Sequence, residues 1–417
     1  MALGSHVATY RVEDGRREAI GKNAWVGILD LSWLPDGSGL LVSAFDLSSL
    51  TAGQLWTLAY PDGRLRRITS DPNVYFNMSL SADGKTIAAV RRREEANLWL
   101  AAPSGTRSVR QITFGSGDET RIASFDPGQD STILFDMVKD GAVQIWSIGA
   151  GGMGQRMVTS GKGLAANPTV RPGVGIFYEQ GEADGTPHIW RSDANGENGR
   201  QITSGKGEGL NDVSPDGRTV LFRRNDIPDV LWSVSSEGGE AVRLGLSVRG
   251  FAMFSPDGSR ILHVFIQEIQ GHGAFTPQII PAKGGEPVVT PTLPPRAQDV
   301  HWTPDGQGFT YMHEANGARN LFRLRLDGGK TEEITRFSDG RMTLHRWSPD
   351  GKRLLLRRRI QNADNLWVAN ADGSNAVAAT DFETGTIADA KWSRDGSQIL
   401  FTYGETSQNV VLIRNFR

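Results

Sequence analysis

Residues 344–380 read LHRWSPDGKRLLLRRRIQNADNLWVANADGSNAVAAT. A short strand, Leu344–Trp347, runs into Ser348-Pro-Asp-Gly351. Proline presets the first corner of a tight turn, aspartate accepts local backbone N–H groups and glycine takes the positive-φ position. The apolar run Leu354-Leu-Leu356 predicts a second strand, Asn365–Ala369 a third, and Asp372-Gly373 turns the chain into a fourth at Asn375–Thr380. Four short antiparallel strands make one sheet, which cannot bury both faces alone.

The phrase recurs. It appears as Trp33-Leu-Pro-Asp-Gly37, Ser81-Ala-Asp-Gly84, Ser214-Pro-Asp-Gly217, Ser255-Pro-Asp-Gly258, Thr303-Pro-Asp-Gly306 and Ser393-Arg-Asp-Gly396. Degenerate copies stand at Asp126-Pro-Gly128 and Arg171-Pro-Gly173. Successive turn glycines lie 47, 44, 45, 44, 41, 48, 45 and 45 residues apart, the period of a propeller or solenoid. Third strands share a slot (Gln54-Leu-Trp56, Asn97-Leu-Trp99, Gln144-Ile-Trp146, His188-Ile-Trp190, Val230-Leu-Trp232, Asn320-Leu-Phe322), and fourth strands repeat Arg67-Ile-Thr69 or Gln111-Ile-Thr113. Regular spacing makes these tryptophans core residues with both sheet faces packed.

The expectation is an all-β chain: one β-propeller spanning 1–417, with repeats starting near 31, 77, 122, 167, 210, 250, 299, 344 and 389. That gives nine four-stranded antiparallel blades, with eight as the alternative. The last repeat lacks a fourth strand, so residues 1–24 are expected to supply it and close the ring.

The rest of the composition excludes more than it selects. Net charge is −2, which argues against a nucleic-acid footprint. There is no cysteine, hence no thiolate chemistry and no cysteine zinc site. No apolar run is long enough for membrane insertion. The opening Met1-Ala-Leu-Gly-Ser-His6 has no signal-peptide core and reads as a domain edge. A monomeric domain is expected.

The SPDG turns, NLWVANADGSN and RQIT phrases resemble the TolB-type (PD40, WD40-like) propeller repeat over nearly the whole chain. Leu31–Val42, Gln54-Leu-Trp56 with Arg66-Arg-Ile-Thr69, and Asn409–Arg417 are similar to the C-terminal propeller of bacterial, especially acidobacterial, Ser/Thr protein kinases. That resemblance implies an extracytoplasmic sensor whose kinase is not in this sequence, since HRD…N and DFG are missing. Gly149-Ala-Gly-Gly-Met-Gly154 spells GxGxxG but falls in a strand-to-strand turn.

Catalytic constellations are sparse. No Gly-x-Ser-x-Gly elbow occurs; Phe114-Gly-Ser-Gly117 and Asp36-Gly-Ser-Gly39 lie in loops. None of the seven histidines has zinc spacing, and His301 and His345 sit near first-strand tryptophans, where packing explains them. Asp193–Asn198 and Asn370–Asn375 begin like calcium loops but lack the twelfth-position glutamate. No metal or cofactor is expected. Inner strands show no repeated acidic residue.

Arginines recur where second strands leave the sheet: Arg91 and Arg93, Arg223 and Arg224, Arg357 and Arg359. On one face they would focus potential toward anions. The competing reading pairs them with Glu94, Glu95, Asp226 and Asp364. The insertion Ile266–Pro277 lengthens a loop of the sixth repeat, with His272 and Phe275 as contact residues. The expected function is non-catalytic binding of a small anionic ligand or a protein partner, as the sensor of a receptor-like kinase. The alternatives are a metal-dependent lactonase or lyase in the central channel, or a structural scaffold.

Overall fold

The computed structural model describes residues 5–416 apart from 24, 26, 46–52, 72, 115–119, 126–130, 140–141, 161–162, 172, 183–184, 225–229, 245–249, 270–271, 316 and 329. The degenerate turn at 126–128 and the Ser-Gly pair at 116–117 lie outside the described residues. Among the described residues the chain is all-β and antiparallel, apart from a 3-10 turn at Thr106–Ser108 and a parallel bridge, Arg319↔Arg341. No described helix is long and apolar enough to cross a membrane.

First strands stand at Gly27–Trp33, Val74–Leu80, Thr120–Phe125, Ala165–Arg171, Glu208–Val213, Gly250–Phe254, Gln298–Trp302, Arg341–Trp347 and Thr386–Trp392; they open units 1 to 9. In units 2 and 5 to 9 the turn that follows is built by its own Ser or Thr and Asp side chains. In Ser348–Gly351 the serine hydroxyl donates to Asp350 Oδ1, which accepts Lys352 N–H, and Ser348 Oγ accepts Arg353 N–H at 2.9 Å. Gly351 takes φ 70°, and a Cβ there would meet Pro304 of the preceding unit at 3.0 Å. The fourth strands are only two or three residues long. Threonine hydroxyls lengthen them: Thr69, Thr113, Thr159, Thr203, Thr335 and Thr380 accept third-strand N–H groups at 2.8–3.0 Å.

Apolar alternation packs neighbouring sheets. In the second strand of unit 5, Val220 and Phe222 join the core shared with unit 4, while Leu221 joins that shared with unit 6. Successive cores link units 3 to 9 in this way. Unit 9 then packs back on unit 3 through Leu98, Leu100 and Leu400 against Ile133, Phe135 and Met137. Seven units therefore follow one another cyclically. Carboxylates add links between neighbours: Glu179 accepts Leu210 N–H, Asp212 accepts Phe254 N–H, Asp299 accepts His345 N–H and Asp364 accepts Ile387 N–H, at 2.7–3.1 Å.

Here the expected closure is corrected. Residues 86–101 and 399–414 each form one uninterrupted 16-residue strand, and the two pair along their full length from Thr86↔Arg414 to Ala101↔Ile399. Residues 96–101 and Arg110-Gln111 thus supply the third and fourth strands of unit 9, while residues 409–414 supply the third strand of unit 2. Among the described residues the N-terminal segment pairs with itself and with Trp25. Val7, Ile20 and Trp25 cover one face of unit 1, and Phe416 packs on the other with Leu34, Leu41 and Leu55. Neither nine nor eight units lie in one ring, because units 1 and 2 stand outside the cycle of seven.

The sixth-unit loop expectation is also corrected. Arg260–Ile269 and His272–Pro281 form a regular hairpin, paired from Arg260↔Pro281 to Ile269↔His272. Ile266, Ile269, Phe275 and Thr276 favour extended backbone, and they continue the ladder beyond the neighbouring units. Gly149–Gly154 is a turn, with Gly152 N–H on Gly149 O.

Gly351→Ala is expected to lower unfolding free energy in urea by about 1 kcal/mol or more, from positive φ and the Pro304 contact. Turn carboxylates Asp83, Asp216, Asp257, Asp350 and Asp395 are held below the usual range, chiefly by bonds from Ser81, Ser214, Ser255, Ser348 and Ser393, Asp257 falling to about 2. Depressed folded values mean that this stabilisation is present above the unfolded pKa of 3.8 and is lost as pH falls through the folded values. The melting temperature should therefore drop between about pH 4 and 2, with a shallower drop in Asp257→Asn. His263 is 1 % exposed with neither ring nitrogen bonded, and burial pushes it down to about 4. It favours the folded state above the unfolded value of 6.5 and opposes it increasingly below, so His263→Leu should flatten melting temperature against pH between 6.5 and 4.

Candidate functional site

The sequence-selected arginines do not converge. Arg91 lies on the long strand opposite Tyr75 and Asn409, its Nε buried without a partner. Arg93 pairs with Glu95 at 2.7 Å. Arg223 is exposed over the backbone of Gly209, and Arg224 stacks on Trp232 at 4.9 Å. Arg357 is a cross-link between units: Nε donates to Thr343 Oγ1 at 2.7 Å and Nη1 to Ala388 O at 2.9 Å and Ile387 O. Arg359 pairs with Asp364 at 3.4 Å. These side chains sit in three separate places, and among the described residues Arg93 and Arg359 pair with local carboxylates. Phe275 packs on Phe251 at the core between units 6 and 7. His272 opens its strand, and its side chain lies outside the described residues, as do Asp226 and the side chain of Glu94. Asp193 Oδ1 accepts the N–H groups of Asn195 and Glu197, which is turn chemistry.

A different cluster forms where the first strands of units 7, 8 and 9 adjoin. Pairing in unit 7 is irregular between Gln298 and His301, and Asp299 there takes φ 50°. This bulge aims its carboxylate at unit 8. Asp299 Oδ2 accepts His345 N–H at 2.7 Å and lies 2.8 Å from His345 Nδ1. His345 is fully buried, and its Nε2 lies 2.7 Å from Thr310 Oγ1. A ring proton on Nδ1, donated to Asp299, leaves Nε2 to accept the threonine hydroxyl. Asp299 Oδ1 lies 2.9 Å from His301 Nε2 and 3.2 Å from Arg346 Nη1. Burial opposes ionisation of Asp299, but His345 and His301 outweigh it and hold the carboxyl well below the usual range.

His301 is pushed down to about 4 by burial and the Arg346 charge, against the pull of Asp299, so it is neutral at pH 7. Its Nε2 also lies 2.8 Å from Arg346 Nη1. One nitrogen serves one of these partners at a time: it donates to Asp299 or accepts from the permanently protonated arginine. Arg346 Nη2 and Lys391 Nζ reach Asp389 only at 3.8 and 3.5 Å. Among the described residues neither atom makes a hydrogen bond, and both side chains are about a third exposed (29 and 35 %). No group of three or more His, Asp or Glu side chains among the described residues is placed to hold a metal ion.

The expected lack of repeated inner-strand acids is corrected. Asp30, Asp299 and Asp389 each stand seven residues before their turn glycine, on first strands. That fixed offset was the available signal. The histidines have none, because Asp299 joins His301 and His345 only across units.

No family model matches the chain, and no curated protein matches it. Solved structures do. Oligogalacturonate lyase from Vibrio parahaemolyticus aligns with TM-score 0.54 at 12% identity, over 75% of this chain and 98% of that one. An oligogalacturonate lyase in complex with manganese gives 0.52 at 15%, over 80% and 96%. The β-propeller domain of the Trilobed protease from Pyrococcus furiosus gives 0.50 at 15%, over 71% and 96%. The expectation that this chain is not an enzyme is corrected, because lyases are built on the same fold. At these identities the likeness is one of architecture: the chain is a β-propeller.

Proposed function

We propose that this protein binds a carboxylate-bearing saccharide, of the uronate class, against Arg346 and Lys391 where units 7 to 9 meet. The carrying observation is that Arg346 Nη2 and Lys391 Nζ are partly open and have no hydrogen-bond acceptor among the described residues. Asp389, at 3.5–3.8 Å, is beyond hydrogen-bonding reach and leaves their donors to a ligand. Asp299 fixes Arg346 and His301 from behind, so the donors are preorganised. An extracytoplasmic sensor attached to a receptor kinase is the setting implied by the resemblance of Leu31–Val42, Gln54–Trp56 with Arg66–Thr69, and Asn409–Arg417 to kinase-borne propellers.

A second reading has a specific support. A neutral imidazole beside two cations is the equipment for taking a proton adjacent to a carboxylate, with the cations neutralising the developing charge. His301 has that form. Two neighbours of this fold act, by their names, on oligogalacturonate.

Calorimetric titration with trigalacturonate should show saturable binding that weakens roughly tenfold or more in Arg346→Gln and in Lys391→Met. Neutral galactotriose should not bind. Equal affinity for the two sugars, or variants that bind as wild type, would contradict the assignment. Ultraviolet absorbance of an unsaturated product, abolished in His301→Asn, distinguishes turnover from binding.

A further inference from the structure

Unit 2 has three strands where units 1 and 3 have four. One edge of residues 399–414 is paired with Thr386–Trp392 as far as Gly404, and beyond that point nothing among the described residues pairs with it. The other edge follows 86–101 without a break, and Asn415 N–H continues that ladder to Lys85 O. Odd-numbered residues therefore turn their backbone groups to 86–101, and 406, 408, 410, 412 and 414 turn theirs outward. Val410 is 74 % exposed and Leu412 60 %.

The place of Val410 is covered in other units. Val411 faces Ala89, five residues past the turn glycine Gly84, and Trp367 faces Leu356, five past Gly351. Asn409-Val-Val411 is thus the counterpart of Asn365-Leu-Trp367 in unit 8. There the fourth strand lies on the slot: Ala379 N–H donates to Leu366 O and Leu366 N–H to Thr380 Oγ1, both at 2.8 Å, and the threonine hydroxyl donates to Asn365 Oδ1 at 2.9 Å. Unit 7 repeats these bonds with Ile334, Thr335 and Asn320. Leu366 and Leu321 are fully buried in consequence. The Ile112-Thr113 phrase that follows unit 2 in the chain is bonded to Leu98 in unit 9 and leaves the slot at Val410 open.

We propose that the edge 406–414 docks an extended segment of a partner protein as an antiparallel fourth strand, with an Ile-Thr pair on Val410 and Asn409. The bonds made by the equivalent slots select that pair. The edge is uncharged between Glu405 and Arg414, and these ends have opposite sign. The complementary strand carries an acid four residues before its isoleucine, opposite Arg414, and a base four residues after its threonine, opposite Glu405. Its isoleucine falls on the face of Val410 and Leu412 and covers them. The added strand continues the pairing that Thr386–Trp392 already makes on this edge. In strand addition of this kind, main-chain bonds give affinity and alternate side chains give specificity.

Fluorescence anisotropy of the full chain with the labelled peptide Glu-Ser-Arg-Gln-Ile-Thr-Ser-Ser-Thr-Lys tests the proposal. Saturable binding is expected, weakened roughly tenfold or more when Ile-Thr is replaced by Ser-Ser or when the terminal Glu and Lys are interchanged. Val410→Pro removes an outward N–H and no bond of the ladder to 86–101, so it should keep the melting temperature and lose the peptide. Leu412→Lys leaves every backbone donor in place and should weaken binding through the lost apolar contact. Arg346→Gln should bind the peptide as wild type, which separates this edge from the saccharide site. No saturable binding at millimolar peptide, equal binding of the Ser-Ser peptide, or unaltered binding in folded Val410→Pro would overturn it. Self-association in sedimentation velocity that Val410→Pro abolishes would place a second copy on the edge and would also overturn it.

Discussion

The pairing of residues 86–101 with residues 399–414 is the constraint on which the rest depends. Two strands of 16 residues, whose partners lie 298 to 328 positions apart in the chain, exchange backbone hydrogen bonds along their whole length. Without that ladder, unit 9 has only Thr386–Trp392 and Ile399–Gly404, and nothing presents Leu98 and Leu100 to unit 3. The sheet cycle would then be open at one interface. The same ladder ties the core of unit 2, with Tyr75, Ile87 and Ala89, to the end of the chain through Val411, Ile413 and Phe416. Long-range closure of this kind carries a loop-closure entropy that local hairpins do not, and it is offset only when the complete ladder and both adjoining cores form.

Much of the fold is legible in local sequence because its determinants are local. In the turns of units 2 and 5 to 9 serine or threonine, aspartate and glycine satisfy one another within five residues, so the phrase alone dictates the geometry. The Ile-Thr phrase marks a fourth strand because the threonine hydroxyl accepts a third-strand amide. The exchange of strands was less visible, although a trace exists. Between second and third strands, units 4 and 7 carry Asp184-Gly185 and Asn316-Gly317, residues suited to tight hairpins. The corresponding stretches Arg93-Glu-Glu95 and Glu405-Thr-Ser-Gln408 contain no glycine, proline, asparagine or aspartate. Without turn formers, both chains run straight on and pair with each other.

Sites were harder to read than turns. The arginine repeats looked like a set because they share a place within the unit, yet equivalent positions in a radial architecture are far apart. Arg357 spans two first strands as a structural bond, and Arg358 lies buried over Phe337 at 3.7 Å. The cluster of Asp299, His301, His345 and Arg346 arises between units, where periodicity within one unit carries no information. The inner-strand aspartates Asp30 and Asp299 show what periodicity does carry: their fixed distance from the turn glycine marks a bulge that directs a carboxylate at the next unit, whereas Asp389, at the same offset, faces Arg346 of the preceding unit.

The strand exchange is tested most directly by a disulfide across it, since the chain has no native cysteine. Val90 and Val410 are direct partners in the ladder. In the double variant Val90→Cys/Val410→Cys, oxidation should give an intramolecular disulfide in the monomer, closing a loop of more than 300 residues. Thiols that stay free in the folded protein, or disulfides that form only between chains, would contradict the pairing.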